Sequence, residues 1–257
     1  YQFALSNSIH QNMKHFRKAM EEAAEQQVRL LIFPECALTG YPGKDVSHAN
    51  RFDLQEIKDA FRELEEQSLR LNLFLLFGAV EREKSTLYNG AYMITPGERA
   101  ISLYRKRALW GWDAESFCAG DCDCGEFEID GMRVGVRICF EVRFPEYFRE
   151  LYRHHCDCAV VLFADRSESD LPERYDLIRA HLRTRAVENV MPLVCANNSA
   201  YYQTAPTAAI DENGSIIREL PRHEEGLLVY DLEKLDQHSF GATGRRFVSD
   251  SIMHIKR

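Results

Sequence analysis

Three reactive side chains each stand at the end of an apolar run or just past it. Glu35 follows Leu31-Ile32-Phe33-Pro34, Lys106 follows Leu103-Tyr104-Arg105, and Cys139 ends Val134-Gly135-Val136-Arg137-Ile138. Loops beyond strand ends are where α/β sheets build sites. A carboxylate there can move protons. A lysine fixed at a strand end can support a developing oxyanion, or lower the pKa of a nearby thiol. A cysteine at a strand-to-helix elbow gains from helix amides and their dipole, and a helix is expected to open near Arg143-Phe144-Pro145-Glu146. The backbone N–H of Phe140, next after the cysteine, can also donate to an oxyanion. Each segment also has a plainer reading. Glu35 fits a solvated loop carboxylate, Lys106 a basic patch closing a hairpin, and Cys139 a buried structural thiol.

The chain holds eight cysteines, at positions 36, 118, 122, 124, 139, 156, 158 and 195. An even count suggests disulfides in short secreted chains. In a chain this long, with four of the cysteines in or beside apolar runs, reduced thiols are expected. Cys118, Cys122 and Cys124 lie close together, as do His154, His155, Cys156 and Cys158. Neither group shows the paired C-x-x-C knuckles of a structural zinc site, so no metal is expected.

The elements that must position these residues follow from periodicity. Gln2–Leu5 reads as a short strand, and His10–Gln26 as a helix with Met13, Phe16, Met20 and Ala23 on one face. Val28–Phe33 suits a strand buried on both faces, stopped by Pro34, and Thr39-Gly40-Tyr41-Pro42-Gly43 reads as a loop. A charged helix over Leu54–Leu71 precedes a strand at Leu73–Val80. Hairpins are expected around Pro96-Gly97 and Asp130-Gly131. A helix near Pro145–Arg153 leads to a strand at Ala159–Phe163, then to a long helix over Pro172–Glu188. Strands follow at Leu193–Asn197, Thr207–Ile210, Ile216–Leu220 and Gly226–Asp231. The tail from Leu235 is polar and weakly patterned. Helices and strands alternate with no linker between them. The pattern predicts one α/β domain over residues 1–257, with stacked sheets and helices outside.

Composition narrows the function. The 257 residues are 45% hydrophobic with a net charge of −8. A chain of this size can bury a large core. The acidic balance disfavours a nucleic-acid binder, which needs a basic face. No apolar run reaches the roughly 20 residues needed to cross a bilayer, and no signal peptide is visible. A cytoplasmic enzyme acting on small molecules fits this profile.

Together, Phe-Pro-Glu35, Tyr-Arg-Lys106 and Ile-Cys139-Phe-Glu-Val-Arg-Phe-Pro-Glu resemble the nitrilase superfamily, the carbon–nitrogen hydrolases. That family carries a Glu-Lys-Cys triad in this order. Glu115-Ser116-Phe117, with Gly120 beyond, looks like the family's second glutamate and its flank. Arg185-Ala186-Val187-Glu188-Asn189 and Asn197-Asn198 resemble its later motifs. Phe140-Glu141, Ala164-Asp165-Arg166 and Ala205-Pro206-Thr207 depart from the family pattern, at places where its members shape their pockets. The resemblance implies a four-layer α-β-β-α sandwich and a homodimer to which the 235–257 tail would contribute. It implies hydrolysis of a small amide or N-carbamoyl compound through a thioester on Cys139, with no cofactor. Glu35 would serve as general base, and Lys106 with the N–H of Phe140 as oxyanion donors. Glu115 would hold substrate or Lys106. Tyr41, Phe117, Phe140, Ala164, Asp165 and Arg166 would shape the pocket. Three other readings remain open: a nitrilase proper, a family member that binds without turnover, and a metal or redox protein built on the cysteines at 118–124.

Overall fold

A computed structural model describes residues 1–42, 53–234 and 238–255. The first layer comprises α1 (Ile9–Glu25) and α2 (Leu54–Leu71), with β1 (Leu30–Ile32) between them in sequence. α1 starts at Ser8, whose side chain accepts from the Gln11 N–H, and α2 starts at Asp53, which accepts from Gln55 and Glu56. β2 (Phe74–Glu83), β3 (Thr86–Ile94) and β4 (Ile101–Arg105) complete the first sheet in the order β1-β2-β3-β4. β1 pairs parallel with β2, and the remaining pairs are antiparallel.

The short α3 (Trp112–Ser116) leads to the hairpin of β5 (Glu126–Ile129) and β6 (Met132–Ile138). Asp130 and Gly131 both adopt positive φ (49° and 77°), as a tight hairpin turn requires. A 3-10 turn over Cys139–Arg143 joins β6 to α4 (Pro145–Arg153). β7 (Cys158–Leu162), α5 (Pro172–Asn189), β8 (Leu193–Ala196), β9 (Ala208–Ile210), β10 (Ile216–Glu219) and α6 (Phe240–Met253) follow. The second sheet runs β10-β9-β8-β7-β6-β5, with β6, β7 and β8 mutually parallel.

Side-chain alternation stacks these pieces into four layers. On β2, Leu75, Phe77 and Ala79 pack against Phe16, Met20 and Leu64 of the first two helices. Leu76 of the same strand faces the other way, onto Val136, Ile138, Val160 and Leu162 of the second sheet. Ala159 and Val161 of β7 turn outward onto Phe148, Leu151, Ile178 and Leu182 of α4 and α5. The central strands are therefore buried on both faces, which is why they read as unbroken apolar runs. The result is the α-β-β-α sandwich.

The structure departs from expectation at the chain's less patterned parts. Gln2 makes only an isolated bridge with Gly226, and neither Gln2–Leu5 nor Gly226–Asp231 forms a ladder. The tail contains a helix, α6, capped by Ser239 onto the Ala242 N–H. Its signal is weak because Gly241 and Gly244 lower helix propensity. In addition, Phe240, Phe247 and Ile252 face outward, so its apolar residues mark no buried stripe. Gly43 of the expected loop, and residues 235–237 and 256–257 of the tail, lie outside the described residues. The expectation of eight thiols is also corrected. Cys122 and Cys124 are joined through their sulfurs, their Cα atoms 5.3 Å apart and within disulfide reach, and the other six cysteines form no disulfide.

Candidate active site

β1, β4 and β6 deliver the three predicted side chains to one place. Chain leaving β1 turns at Pro34 and crosses above Gly78 of β2. A Cβ on Gly78 would stand 2.3 Å from the Cys36 nitrogen and 2.6 Å from the Glu35 Cα. Only glycine lets the turn sit this low. The turn is held by hydrogen bonds from Gly78 N to Pro34 O (3.0 Å) and from Leu38 N to Gly78 O (3.1 Å).

Glu35 is wholly buried. Its Oε1 accepts from Asn89 Nδ2 at 2.7 Å and Lys106 Nζ at 2.8 Å, and its Oε2 accepts from the Ala164 N–H at 2.8 Å. Burial raises its pKa, against the pull of Lys106. Lys106 is held by its own N–H to Asn89 O at 2.9 Å. Asn89 thus fixes the base through its side chain and the lysine through its backbone. Lys106 Nζ also donates to Asp113 Oδ2 at 2.5 Å, so two of its three protons are engaged within the protein. Burial disfavours the ammonium, but Glu35 and the other groups facing it outweigh this, and the Lys106 pKa stands well above the usual lysine value.

Cys139 follows β6 and opens the 3-10 turn with φ of +46°, a left-handed conformation that a non-glycine residue adopts at a cost. Glu141 holds this elbow. Its Oε2 accepts from the Ile138 N–H at 2.7 Å. Its Oε1 accepts from Tyr104 Oη at 2.7 Å and the Arg107 N–H at 2.8 Å. One buried carboxylate therefore clamps the cysteine turn to the chain just beyond Lys106. Arg185 secures the far end, donating to Val142 O at 2.9 Å and Arg143 O at 3.1 Å. Burial, and next the Glu35 charge, push the Cys139 thiol pKa well up, while Lys106 opposes them. The resting sulfur carries its proton and needs a base to become a nucleophile.

A cavity of about 370 Å³ has Glu35, Lys106 and Cys139 in its wall. Of the residues expected to shape it, Tyr41, Phe140, Ala164 and Asp165 line it, as does Trp110. Asn197 anchors the Ala164–Asp165 segment, its side chain bonding to Asp165 N at 2.9 Å and Asp165 O at 3.0 Å. Phe117 does not line the cavity. It is buried edge-on against Tyr41, ring centroids 6.3 Å apart. Arg166 does not reach the cavity wall either, being drawn into a backbone bridge with Gln203.

Glu115 is also displaced from its expected place. It is exposed on α3, and Asp113, two residues earlier, turns inward to Lys106 and accepts from Tyr41 Oη. Positions two apart on a helix do not share a face, so only one of these carboxylates can point inward. Sequence reasoning missed Asp113, Trp112, Arg143, Arg174 and Ile178 in the wall, and Asn89, Gly78 and Glu141 behind it. A glycine interrupting the apolar run of β2 was the available signal for Gly78.

A larger cavity, about 620 Å³, lies between Leu30–Ile32, Val160 and the 227–234 segment. It contains none of the three reactive residues. Among the described residues, no group of three or more His, Cys, Asp or Glu could hold a metal ion, and no helix is long and apolar enough to cross a membrane.

Known proteins place the fold and the family. The 2-oxoglutaramate amidase of Bacillus subtilis is 29% identical over 80% of this chain and 79% of its own. A nitrilase of Pyrococcus abyssi is 30% identical over 54% of this chain and 53% of its own. The crystal structure of an amidase from Nesterenkonia sp. superposes with a TM-score of 0.80 at 20% identity, covering 96% of this chain and 93% of that one. The carbon–nitrogen hydrolase family model matches residues 1–237. By that match the chain belongs to the carbon–nitrogen hydrolase family.

Proposed function

We propose that this chain is an amidase that hydrolyses a small amide or N-carbamoyl compound through a thioester on Cys139. The observation that carries the reading is the convergence of Glu35, Lys106 and Cys139 on one cavity, with Glu35 and Lys106 in direct contact. An amide carbon is a poor electrophile, so both an activated nucleophile and oxyanion support are needed.

Glu35 takes the Cys139 proton on Oε2, whose one protein partner among the described residues is the Ala164 N–H. The sulfur attacks the amide carbon, and the oxyanion is met by the third proton of Lys106 and by the N–H of Phe140. Collapse breaks the C–N bond as Glu35 returns its proton to the departing nitrogen, releasing ammonia or amine. Water then gives a proton to Glu35 and attacks the thioester. The acid departs, and the thiolate recovers its proton from Glu35. Asp113 and Asn89 keep the ammonium and the carboxylate in register throughout.

Relatives named as amidases are consistent with amide chemistry, and others are named as nitrilases, so the substrate panel includes both. In one amidase of this fold, acrylamide has added to the active-site cysteine. The test is ammonia release from a panel of amides, N-carbamoyl compounds and nitriles, with Cys139→Ala as the blank. Release from amides or N-carbamoyl compounds by the wild type and none by the variant supports the reading. Turnover of nitriles only, or equal turnover by Cys139→Ala, overturns it. We further propose that the chain forms a homodimer through α6, whose Phe240, Phe247 and Ile252 side chains are exposed.

A further inference from the structure

The joined sulfurs of Cys122 and Cys124 take no part in the proposed reaction. They sit in residues 117–125, a strap running from α3 to β5. The first half of the strap is fixed beside the lysine. Cys118 N donates to Leu87 O at 2.8 Å, and Gly120 N to Lys106 O at 2.9 Å. A Cβ on Gly120 would stand 2.4 Å from the Arg105 carbonyl oxygen, so the strap lies flat on the end of β4. At the far end, Gly125 O accepts from the Val136 N–H at 2.8 Å, and Gly125 packs against the Tyr104 ring. Between these anchors Cys122 is exposed and Cys124 half-buried.

Arg137 reaches this turn from the core. It lies on β6, two residues before Cys139, and is wholly buried. Its Nη2 donates to Asp123 O at 3.1 Å and its Nη1 to Cys124 O at 3.0 Å. It also donates to Tyr147 O at 2.9 Å and Glu150 Oε2 at 3.1 Å, and its guanidinium lies 4.9 Å from the centre of the Tyr104 ring. Tyr104 in turn donates to Glu141, the clamp on the Cys139 turn. Successive carbonyls of an extended chain point to opposite sides. Here two successive carbonyls meet one guanidinium, so the chain is bent at Asp123, and the bridge across Asp123 holds the bend. A buried arginine that loses two acceptors is destabilised, because its freed donors stay out of reach of water. The strap thus joins the Lys106 backbone to the strand that carries the nucleophile, and the bridge fixes the join.

We propose that Cys122 and Cys124 form a thiol–disulfide site whose oxidised state aligns Lys106 with Cys139 through Arg137. The reacting partner is a dithiol reductant. Its thiolate bonds to the exposed Cys122 sulfur, the Cys122–Cys124 bond breaks, and Cys124 leaves as a thiolate that takes up a proton. The reductant's second thiol gives up its proton and displaces Cys122, which leaves and is protonated in the same way. Two electrons and two protons have then passed to the protein, and the reductant has become a cyclic disulfide. The freed turn withdraws its carbonyls from Arg137, and Lys106 loses part of its support. Cys139 forms no disulfide and keeps its thiol through the exchange.

The test compares protein prepared in air with the same protein after dithiothreitol treatment and gel filtration. Titration of the unfolded chain is expected to count six thiols before treatment and eight after it. Reduction is expected to lower kcat on an amide about tenfold and to change KM by less than about twofold, since Lys106 meets the oxyanion formed in the reaction. Alkylation of Cys139 by chloroacetamide, read on its own peptide, is expected to slow by a similar factor. That readout needs no substrate, so the site is judged separately from the amidase reading on which its role rests. In Arg137→Lys both rates are expected to start low and to change less than about twofold on reduction, because the two perturbations act through one contact. Cys118→Ser is expected to keep the full response. Eight thiols in the untreated protein, equal rates in the two states, or an undiminished further loss in Arg137→Lys overturns the proposal. So does a loss accompanied by unfolding, read by near-ultraviolet circular dichroism. Should Arg137→Lys fail to fold, the wild-type comparison decides alone.

Discussion

Gly78→Ala tests whether backbone packing, and not side-chain chemistry alone, sets the catalytic geometry. The added methyl group would meet the Cys36 nitrogen at 2.3 Å, the Glu35 Cα at 2.6 Å and the Glu35 carbonyl carbon at 2.7 Å. All three are main-chain atoms, so no rotamer change relieves the clash. The turn must recede from β2 by about 1 Å, stretching the Gly78–Pro34 and Gly78–Leu38 hydrogen bonds. The overpacking is expected to cost about 1–3 kcal/mol. For a chain of this size that lowers the melting temperature by about 2–12 °C. Glu35 moves with the turn, away from its 2.7–2.8 Å contacts with Asn89, Lys106 and Ala164. A displacement of this order costs about 10²-fold in turnover. Thermal unfolding and ammonia-release kinetics read the two effects separately. A variant that melts with the wild type and turns over at its rate would refute the packing argument.

Further expectations follow for the site and for α6. Glu35 must be ionised to accept the thiol proton, and burial raises its pKa, so activity should fall as pH drops through a value above the usual carboxylate range of about 4.3. Asn89 holds that pKa down by donating to the charged form, so Asn89→Ala should move the acid limb of the kcat/KM profile to higher pH; an unmoved limb contradicts this. Asp113→Asn should lower kcat by an order of magnitude or more by loosening Lys106, whereas Glu115→Gln, on an exposed position, should change it little; the reverse ranking would show that α3 is misread. Phe247→Asp should convert a sedimenting dimer to monomer, and a wild type that is monomeric at all concentrations contradicts the α6 interface.

The reactive residues were legible because each ends a strongly apolar segment, and buried strands are the clearest signal a single sequence carries. What was not legible depends on registers between segments. Gly90 of β3 pairs with Arg105 of β4, which brings Asn89 beside Lys106, and Gly78 pairs with Ala91 across β2 and β3. Nothing along the chain states these pairings. Asp113 and Glu115 are chemically alike, and only the phase of the five-residue α3, opened by Gly111 at positive φ, decides which points inward. Arg174 sits near a helix start, where a charged residue reads as solvated. Its neighbour Asp165 was legible, but the fold alone brings the two together. Glu141, read as a departure from the family, proves to be the clamp on the nucleophile's turn.

An acyl group carried by Cys139 during turnover would be captured by acid-quenched mass spectrometry of enzyme turning over a substrate amide. A transient adduct equal to the amide less ammonia is expected on the peptide containing Cys139, absent from Cys139→Ala. Turnover with no adduct under rapid quenching, or an adduct that survives the Cys139→Ala substitution, would contradict it.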